Sequence, residues 1–265
     1  AVDPNFVANN RIYLYYTAAT PSCFNRVSRF TLPTSNVINP ASEVILLKNI
    51  PSPNAQHDGG DLGFGKDGYL YVSVGDGGCD YRADSGCGGS NDAARDRNTL
   101  LGKILRITKD GAIPPRNPFL GANTARCQNG NSAPGLICQE TFAWGLRNPF
   151  RFAFDPNAPG TRFFINDVGQ ETREEVNLGQ FGADYGWNCR EGTVTNNTSG
   201  PCTPTPPNMV TPVFEYAHGA IPGPNGGRCR GGITGGAFVP NGLWPGYDGV
   251  YLFADVSCGV FLRLS

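Results

Sequence analysis

Short apolar stretches recur along the chain, and a turn rich in Pro, Asp, Asn and Gly precedes each of them. The four clearest stretches carry aromatic and β-branched residues and lie at residues 11–16, 69–74, 162–165 and 249–253. Each is followed by a second stretch in which apolar and polar residues alternate, at residues 25–30, 102–107, 174–178 and 259–264. This pattern predicts short β-strands that form half-buried antiparallel pairs.

The recurrence of this strand pair predicts an all-β fold built from repeated small sheets. Tandem four-stranded antiparallel sheets are typical of a β-propeller. Four copies of the pattern predict about four blades, whereas closed propellers have about four to eight. We therefore expect residues 1–265 to form a single β-propeller domain that is incomplete at both ends. The long loops 79–100, 108–140 and 190–230 are expected to lie on one face and to shape a site.

The charge balance argues against two classes of partner. A formal net charge of -1, with 21 basic residues spread along the chain, gives no basic patch for nucleic acid. The sequence contains no run of the roughly 18 apolar residues that a membrane span requires. We expect no nucleic-acid partner and no membrane span.

The nine cysteines lie mostly in polar stretches and lack the Cys-x-x-Cys spacing of metal sites. They predict disulfides that clip individual loops, although spacing does not fix their connectivity. The favoured pairs are 79/87, 127/138, 189/202 and 229/258, with Cys23 left over. Because disulfides persist in oxidising compartments, we expect a periplasmic or extracellular protein.

One of the two histidines, His57, precedes a predicted strand and the glycine-rich polar loop at residues 75–78. Imidazole titrates near neutral pH, so a histidine at the mouth of a sheet can remove a proton from a substrate hydroxyl. A histidine that hydrogen-bonds a loop carbonyl explains this position equally well. The other histidine, His218, is expected to lie on the surface rather than to take part in catalysis.

Two polar turns carry further candidate site residues. Arg147 and Asn148 occupy the turn before a predicted strand, and arginine offers a fixed fork of donors for a carboxylate or a developing oxyanion. An arginine stacked between two blades is the alternative. The turn at residues 166–177 is rich in carboxylates, and carboxylate and carbonyl oxygens are the ligands that Ca²⁺ takes. A solvated acidic turn without metal is the commoner outcome of such a sequence.

An aromatic pair, Tyr185 and Trp187, lies shortly after the acidic turn. Such rings stack on a planar cofactor or on a sugar face, but aromatic residues buried within a blade are commoner. The motifs of serine hydrolases, zinc peptidases and P-loop nucleotide hydrolases are missing, so these enzyme classes lack support.

A series of motifs in fixed order resembles the soluble pyrroloquinoline-quinone (PQQ)-dependent glucose and aldose-sugar dehydrogenases, and the resemblance spans nearly the whole chain. The motifs are His-x-x-Gly-x-Leu (57–62), the strand and loop at 67–78, Leu-Gly-Lys-Ile-Leu-Arg-Ile (101–107), Gly-Leu-Arg-Asn-Pro (145–149), Asp-Val-Gly-Gln (167–170) with Glu-Glu-Val-Asn (174–177), Tyr-Gly-Trp (185–187) and Ile-Thr-Gly-Gly (233–236). The resemblance implies a six-bladed β-propeller, of which this chain covers about four to five blades.

The resemblance also implies a reaction: oxidation of the anomeric hydroxyl of an aldose sugar to a lactone, with hydride transfer to PQQ and an external electron acceptor. It implies that His57 is the general base, that Arg147 stabilises the reducing quinone and that Asn148 helps to hold it. Tyr185 and Trp187 are further candidates for cofactor contact. The carbonyls of Gly169 and Gln170 would bind a Ca²⁺ ion at the cofactor, and Glu175 with the Tyr185 carbonyl would bind a second, structural Ca²⁺.

Two positions depart from the family pattern. Ser257 stands where the family's glucose enzymes carry a lysine that contacts the cofactor, and Gly77 stands where they carry a glutamine. The missing lysine and the dense cysteines favour an alternative, a non-catalytic binding or structural propeller derived from this family. A Ca²⁺-dependent propeller resembling lactonases is the third reading, and the ordered dehydrogenase motifs argue against it.

Overall fold

The computed structural model describes residues 1–18, 23–52, 56–78, 93–222 and 227–265. Within these ranges almost all regular structure is β, in sheets that follow one another along the chain. The described residues include one short α-helix, α1 (Phe6–Asn9), and two 3-10 turns, Pro40–Ser42 and Gly200–Cys202. No helix in these ranges is long and apolar enough to cross a bilayer.

The first two sheets are antiparallel. Sheet one consists of β1 (Arg11–Ala18), β2 (Phe24–Thr31) and β3 (Val44–Pro51), in that order. Sheet two begins with β4 (Leu62–Phe64), β5 (Leu70–Val74) and β6 (Lys103–Ile107). A short parallel pair, β7 (Thr124–Ala125) and β8 (Ile137–Cys138), then precedes β9 (Thr141–Trp144), which pairs with β6 and completes sheet two.

Sheets three and four repeat this arrangement. Sheet three contains β10 (Pro149–Phe154), β11 (Phe163–Asp167) and β12 (Arg173–Leu178). The hairpin β13 (Arg190–Glu191) and β14 (Val194–Thr195) follows, and β15 (Phe214–Ala217) then completes sheet three beside β12. Sheet four consists of β16 (Ile233–Phe238), β17 (Tyr251–Asp255) and β18 (Val260–Leu264). Every strand predicted from the sequence is present.

The hydrophobic cores lie between successive sheets. Leu70 and Val72 of β5 pack into the core shared with sheet one, whereas Tyr71 between them packs against Phe163 of sheet three. Successive strand residues point to opposite faces, so β5 is buried on both sides. Phe164 in the same way enters the core shared with sheet four. Radial repetition of small sheets is the architecture of a β-propeller, and the predicted fold is confirmed.

Three of the four favoured disulfides are present. They join Cys127 to Cys138, Cys189 to Cys202 and Cys229 to Cys258. Cys23 is exposed and unpaired, as the sequence predicted. The favoured pair 79/87 lies outside the described residues.

Lys103, at the start of β6, is fully buried, and its side chain binds backbone carbonyls of the preceding segment. Its Nζ donates to the carbonyls of Ala93 (3.2 Å), Ala94 (3.1 Å) and Leu101 (2.5 Å). We expect Lys103→Met to lower the free energy of unfolding by about 2–4 kcal/mol, because three carbonyls lose their buried donor. Chemical denaturation measures this change. An unaltered midpoint would contradict it.

Lys103 also predicts a pH dependence of stability. Its pKa is lowered to about 7 because burial removes the ammonium group from water. The unfolded chain therefore binds more protons than the folded chain between pH 7 and about 10, so this group makes stability rise with pH over that window. We expect the difference in unfolding free energy between the wild type and Lys103→Met to grow between those pH values.

Candidate functional site

His57 lies in the segment before β4 and pairs with Asp76, which follows β5. The distance between His57 Nδ1 and Asp76 Oδ1 is 2.7 Å, and Asp76 is fully buried. Because a carboxylate only accepts, Nδ1 carries the proton and Nε2 keeps a lone pair for a ligand. His57 has a φ of 47°, in the left-handed region, and strain of this kind at a non-glycine residue concentrates at functional sites.

The backbone around this pair leaves no room for a side chain at position 75. A Cβ on Gly75 would lie 1.8 Å from the His57 carbonyl oxygen. Glycine is therefore required where the end of β5 passes under His57. This explains one glycine of the loop at residues 75–78 that the sequence singled out.

Asp76 forms hydrogen bonds through both carboxylate oxygens and through its backbone N–H. Its Oδ2 accepts from Trp187 Nε1 (2.8 Å), its Oδ1 accepts from the Gly78 N–H (2.9 Å), and its own N–H donates to the Arg147 carbonyl (2.8 Å). Burial alone would raise the pKa of Asp76, but the bonds from His57 and Trp187 and the charge of Arg147 outweigh it, and the pKa is lowered. Asp76 is therefore a fixed carboxylate behind the imidazole.

Arg147 and Asn148 are fixed by Asp167 at the end of β11. The Asp167 oxygens accept from the Arg147 N–H (3.0 Å) and from the Asn148 N–H (2.7 Å). Arg147 Nη1 donates to the carbonyls of Val168 (3.1 Å) and Gly169 (2.8 Å), and Asn148 Oδ1 accepts from the Gly59 N–H (3.2 Å). Both residues thus lie beside the His57 segment.

Arg147 Nε is buried and has no hydrogen-bond partner within the described part of the chain. A buried donor without a partner costs free energy unless a ligand completes it. Among the described residues the Arg147 side chain donates only to carbonyl oxygens, so none of their carboxylates pairs directly with its charge. This donor set fits an anionic ligand such as a quinone cofactor that carries carboxylate groups.

The turn that carries Gly169 and Gln170 is organised by Glu191 of β13. Glu191 Oε1 accepts from four successive backbone N–H groups, those of Gln170 (2.8 Å), Glu171 (3.0 Å), Thr172 (2.8 Å) and Arg173 (3.0 Å). Burial raises the pKa of Glu191, but these N–H groups outweigh burial, and the pKa lies below its ordinary value. The two predicted calcium-binding carbonyls therefore belong to a preorganised turn.

We expect Glu191→Ala to lower the free energy of unfolding by about 3–5 kcal/mol, because buried N–H groups lose a charged acceptor. Glu191→Gln keeps one acceptor oxygen and is the matched control, with a smaller expected loss. Thermal and denaturant unfolding of the two variants measure the difference. Equal stability of Glu191→Ala and the wild type would show that the turn does not depend on this carboxylate.

Glu175, the predicted ligand of a second Ca²⁺, is buried with both oxygens engaged. They accept from the Gly192 N–H and from Asn177 Nδ2 (2.9 Å). Burial raises the pKa of Glu175 to about 7, and burial followed by the charge of Glu175 raises the pKa of Asp167 well above its usual range. The Tyr185 carbonyl accepts from Arg190 Nε (3.3 Å). A second cation at Tyr185 would compete with Arg190.

The predicted aromatic pair is largely taken up by the fold. The Tyr185 ring is buried in the core between sheets two and three, and its hydroxyl donates to the Leu178 carbonyl. Trp187 is 3% exposed, and its Nε1 is committed to Asp76. Trp187 nevertheless lies beside the site, because the Arg147 guanidinium is 5.5 Å from the centre of its ring.

His218 is not the surface residue that the sequence led us to expect. Its side chain is 15% exposed, and Nε2 lies 2.7 Å from Oε1 of the fully buried Glu174. Glu174 Oε2 accepts from the Gly169 N–H (3.3 Å). Both histidines of the chain are thus paired with a buried carboxylate, and the scarcity of histidine was the one sequence signal for the second pair.

The family profile described as Glucose / Sorbosone dehydrogenase matches residues 1–228. HIPL2 protein of Arabidopsis thaliana is 33% identical over 243 residues, which are 84% of this chain and 32% of that protein. Aldose sugar dehydrogenase YliI of Escherichia coli is 28% identical over 191 residues, which are 69% of this chain and 43% of that protein.

Among solved structures, the PQQ-bound aldose sugar dehydrogenase of Streptomyces coelicolor has a TM-score of 0.69 and 24% identity. The likeness covers 100% of this chain and 61% of that one, and it shows a common fold. The chain therefore spans less than two thirds of the length of these relatives. With a family profile that matches most of its length, the chain belongs to the glucose/sorbosone dehydrogenase family.

Proposed function

We propose that this chain carries the catalytic residues of a PQQ- and Ca²⁺-dependent dehydrogenase that oxidises the anomeric hydroxyl of aldose sugars to lactones. The observation that carries the proposal is the His57–Asp76 pair, which leaves His57 Nε2 as a base. Asp76 also bonds to the backbone of Arg147, whose buried Nε has no partner among the described residues. Membership in the family and the PQQ-bound relative of the same fold support it.

The cofactor site proposed here consists of Arg147, Asn148 and the turn at Gly169 and Gln170. These residues would hold PQQ, which would supply the hydride-accepting group, and Ca²⁺, which would supply Lewis acidity. The Gly169 carbonyl accepts one hydrogen bond from Arg147 and retains a second lone pair for a cation. Tyr185 would contribute its backbone carbonyl to the second Ca²⁺ site. Trp187 would act indirectly, because its Nε1 donates to Asp76. Glu175 and the Tyr185 carbonyl would hold the second Ca²⁺, and Arg190 donates to the same carbonyl.

The protein's own residues perform the acid–base part of the reaction. His57 Nε2 takes the proton of the anomeric hydroxyl as the hydride leaves the same carbon. Asp76 holds the proton on Nδ1 and balances the imidazolium that forms. The Arg147 guanidinium offers donors to the negative charge that develops on the electron acceptor. The electrons then pass to an external acceptor, a quinone, dye or cytochrome.

A location outside the reducing cytoplasm agrees with this proposal. Three disulfides are present among the described residues, and such bonds persist in oxidising compartments. We propose that the protein is secreted to the periplasm or the extracellular space, where free sugars are its substrates.

Dye reduction with D-glucose and a panel of aldoses tests the proposal, after reconstitution of the full-length protein with PQQ and Ca²⁺. Samples with a chelator and samples without quinone are the controls. Turnover that requires both additions is the expected result. Silence from a folded sample would favour the non-catalytic binding propeller, for which Ser257 in place of the family's lysine is the supporting observation.

A further inference from the structure

A cavity of about 420 Å³ adjoins the Gly169–Gln170 turn. It is lined by Gly169, Gln170, Glu171, His218, Arg230 and Gly231. None of these side chains has a role in the proton transfer described above. The cavity nevertheless adjoins the site directly, because Gly169 bonds to Arg147 through its carbonyl and to Glu174 through its N–H.

We propose that this cavity is a carboxylate-binding site in which Arg230 supplies the positive charge and the His218–Glu174 pair forms a second wall. The inference rests on the proposed function, because the carboxylates of PQQ are one source of such a group and an acidic sugar is the other. It assigns a task to Arg230 and His218, neither of which belongs to the family pattern recognised in the sequence.

Arg230 is suited to this task because its guanidinium is uncommitted. It forms no hydrogen bond or ion pair with the rest of the described chain, although it is held in place by the neighbouring disulfide Cys229–Cys258. A planar guanidinium binds a carboxylate through two parallel N–H donors. Arg228, two residues earlier, is also exposed but does not line the cavity.

His218 is oriented for a ligand by Glu174. Nε2 faces the buried carboxylate, so Nδ1 is the nitrogen that remains for the cavity. Because the Glu174 carboxylate only accepts, Nε2 donates to it, and this bond fixes the plane of the imidazole that forms the second wall. Glu171 is the one carboxylate that lines the cavity, and it opposes an anion there. The Arg230 guanidinium lines the same cavity and offsets this charge.

Gly231 makes this arrangement possible. Its φ is 90°, and a Cβ there would lie 2.6 Å from His218 Cδ2, 2.8 Å from Nε2 and 3.0 Å from Glu174 Oε1. Any larger residue would push the imidazole away from Glu174. Gly242 has a φ of 78° with nothing within 4 Å of its Cβ position. Gly242→Ala therefore imposes a similar backbone strain without touching the cavity, and it is a matched control.

The experiment measures equilibrium binding of PQQ in the presence of Ca²⁺ by quenching of tryptophan fluorescence, which requires no turnover. We expect Arg230→Ala to raise the Kd for PQQ about tenfold or more, because a charge-assisted bidentate contact is lost. Arg228→Ala should leave the Kd unchanged. Gly231→Ala should weaken binding, and Gly242→Ala should not. Arg230→Lys should restore part of the affinity, because it keeps the charge but not the fork.

A second arm compares binding of D-glucuronate and D-glucose by ligand-observed NMR. If Arg230→Ala weakens glucuronate binding alone, the carboxylate comes from an acidic sugar, and the site stands. If the wild type binds PQQ and Arg230→Ala binds PQQ and glucuronate equally well, this inference is overturned while the proposed function survives. If the wild type does not bind PQQ, the proposed cofactor is wrong. If the wild type binds neither PQQ nor D-glucuronate, both the proposed function and the carboxylate-binding site are overturned.

Discussion

Replacing His57 with alanine is expected to lower dye-coupled sugar turnover about 10²- to 10⁴-fold, the usual effect of losing a positioned acid–base group. The loss should fall on kcat, because the imidazole acts on the proton during reaction rather than on sugar binding. Its side chain is 14% exposed, and its ring bonds to Asp76 alone among the described side chains. The fold should therefore tolerate the substitution.

Two controls accompany this variant. Circular dichroism should show the same β spectrum as the wild type, and the Kd for PQQ should change little, since Arg147 and the Gly169–Gln170 turn are untouched. Turnover retained within a factor of about two in His57→Ala would remove His57 from the role of base. Parallel loss of quinone binding would instead mark His57 as a cofactor contact.

Asp76→Asn is the second variant with a large expected effect, about 10²- to 10⁴-fold in turnover. Asp76 accepts on both oxygens, from His57 and Gly78 on Oδ1 and from Trp187 on Oδ2. An amide offers only one acceptor. With its NH₂ toward His57, the proton moves to Nε2 and the base is lost; with its NH₂ toward Trp187, two donors collide.

This conflict predicts a rescue. In the double variant Asp76→Asn with Trp187→Phe, the indole donor is gone, so the amide can turn its oxygen to His57 and restore the protonated Nδ1. We expect the double variant to exceed Asp76→Asn alone in kcat, even though Trp187→Phe by itself removes a hydrogen bond. Additive losses in the two substitutions would contradict a tautomer effect, because coupling is its signature. Steady-state kinetics of all four proteins decides the point.

Local patterns in the sequence predicted the strands and three loop disulfides. Turn residues followed by β-branched and aromatic runs are short-range signals, and two of the disulfides join nearby cysteines, Cys127 with Cys138 and Cys189 with Cys202. The complete burial of β5 was not visible as alternation. Its two faces meet different sheets, which depends on packing far along the chain.

The partners of the site residues could not be predicted from the sequence. Asp76 meets Trp187 across 111 positions, and Glu174 meets His218 across 44. Spacing carries no signal at such separations, because the geometry of neighbouring sheets brings these groups together. Glu191 was missed for the same reason, since nothing in its local sequence shows that four N–H groups point at it.

The disulfides are unevenly placed with respect to the core. Cys127 and Cys138 belong to the hydrophobic core between sheets one and two. Cys189–Cys202 begins two residues after Trp187, and Cys229–Cys258 adjoins Arg230, so these two bonds fasten loops around the site. Protein made in a reducing cytoplasm would thus keep its sheets while the binding loops relax. A sharp melting curve would therefore not show that the disulfides of the binding loops have formed, whereas a titration of accessible thiols would.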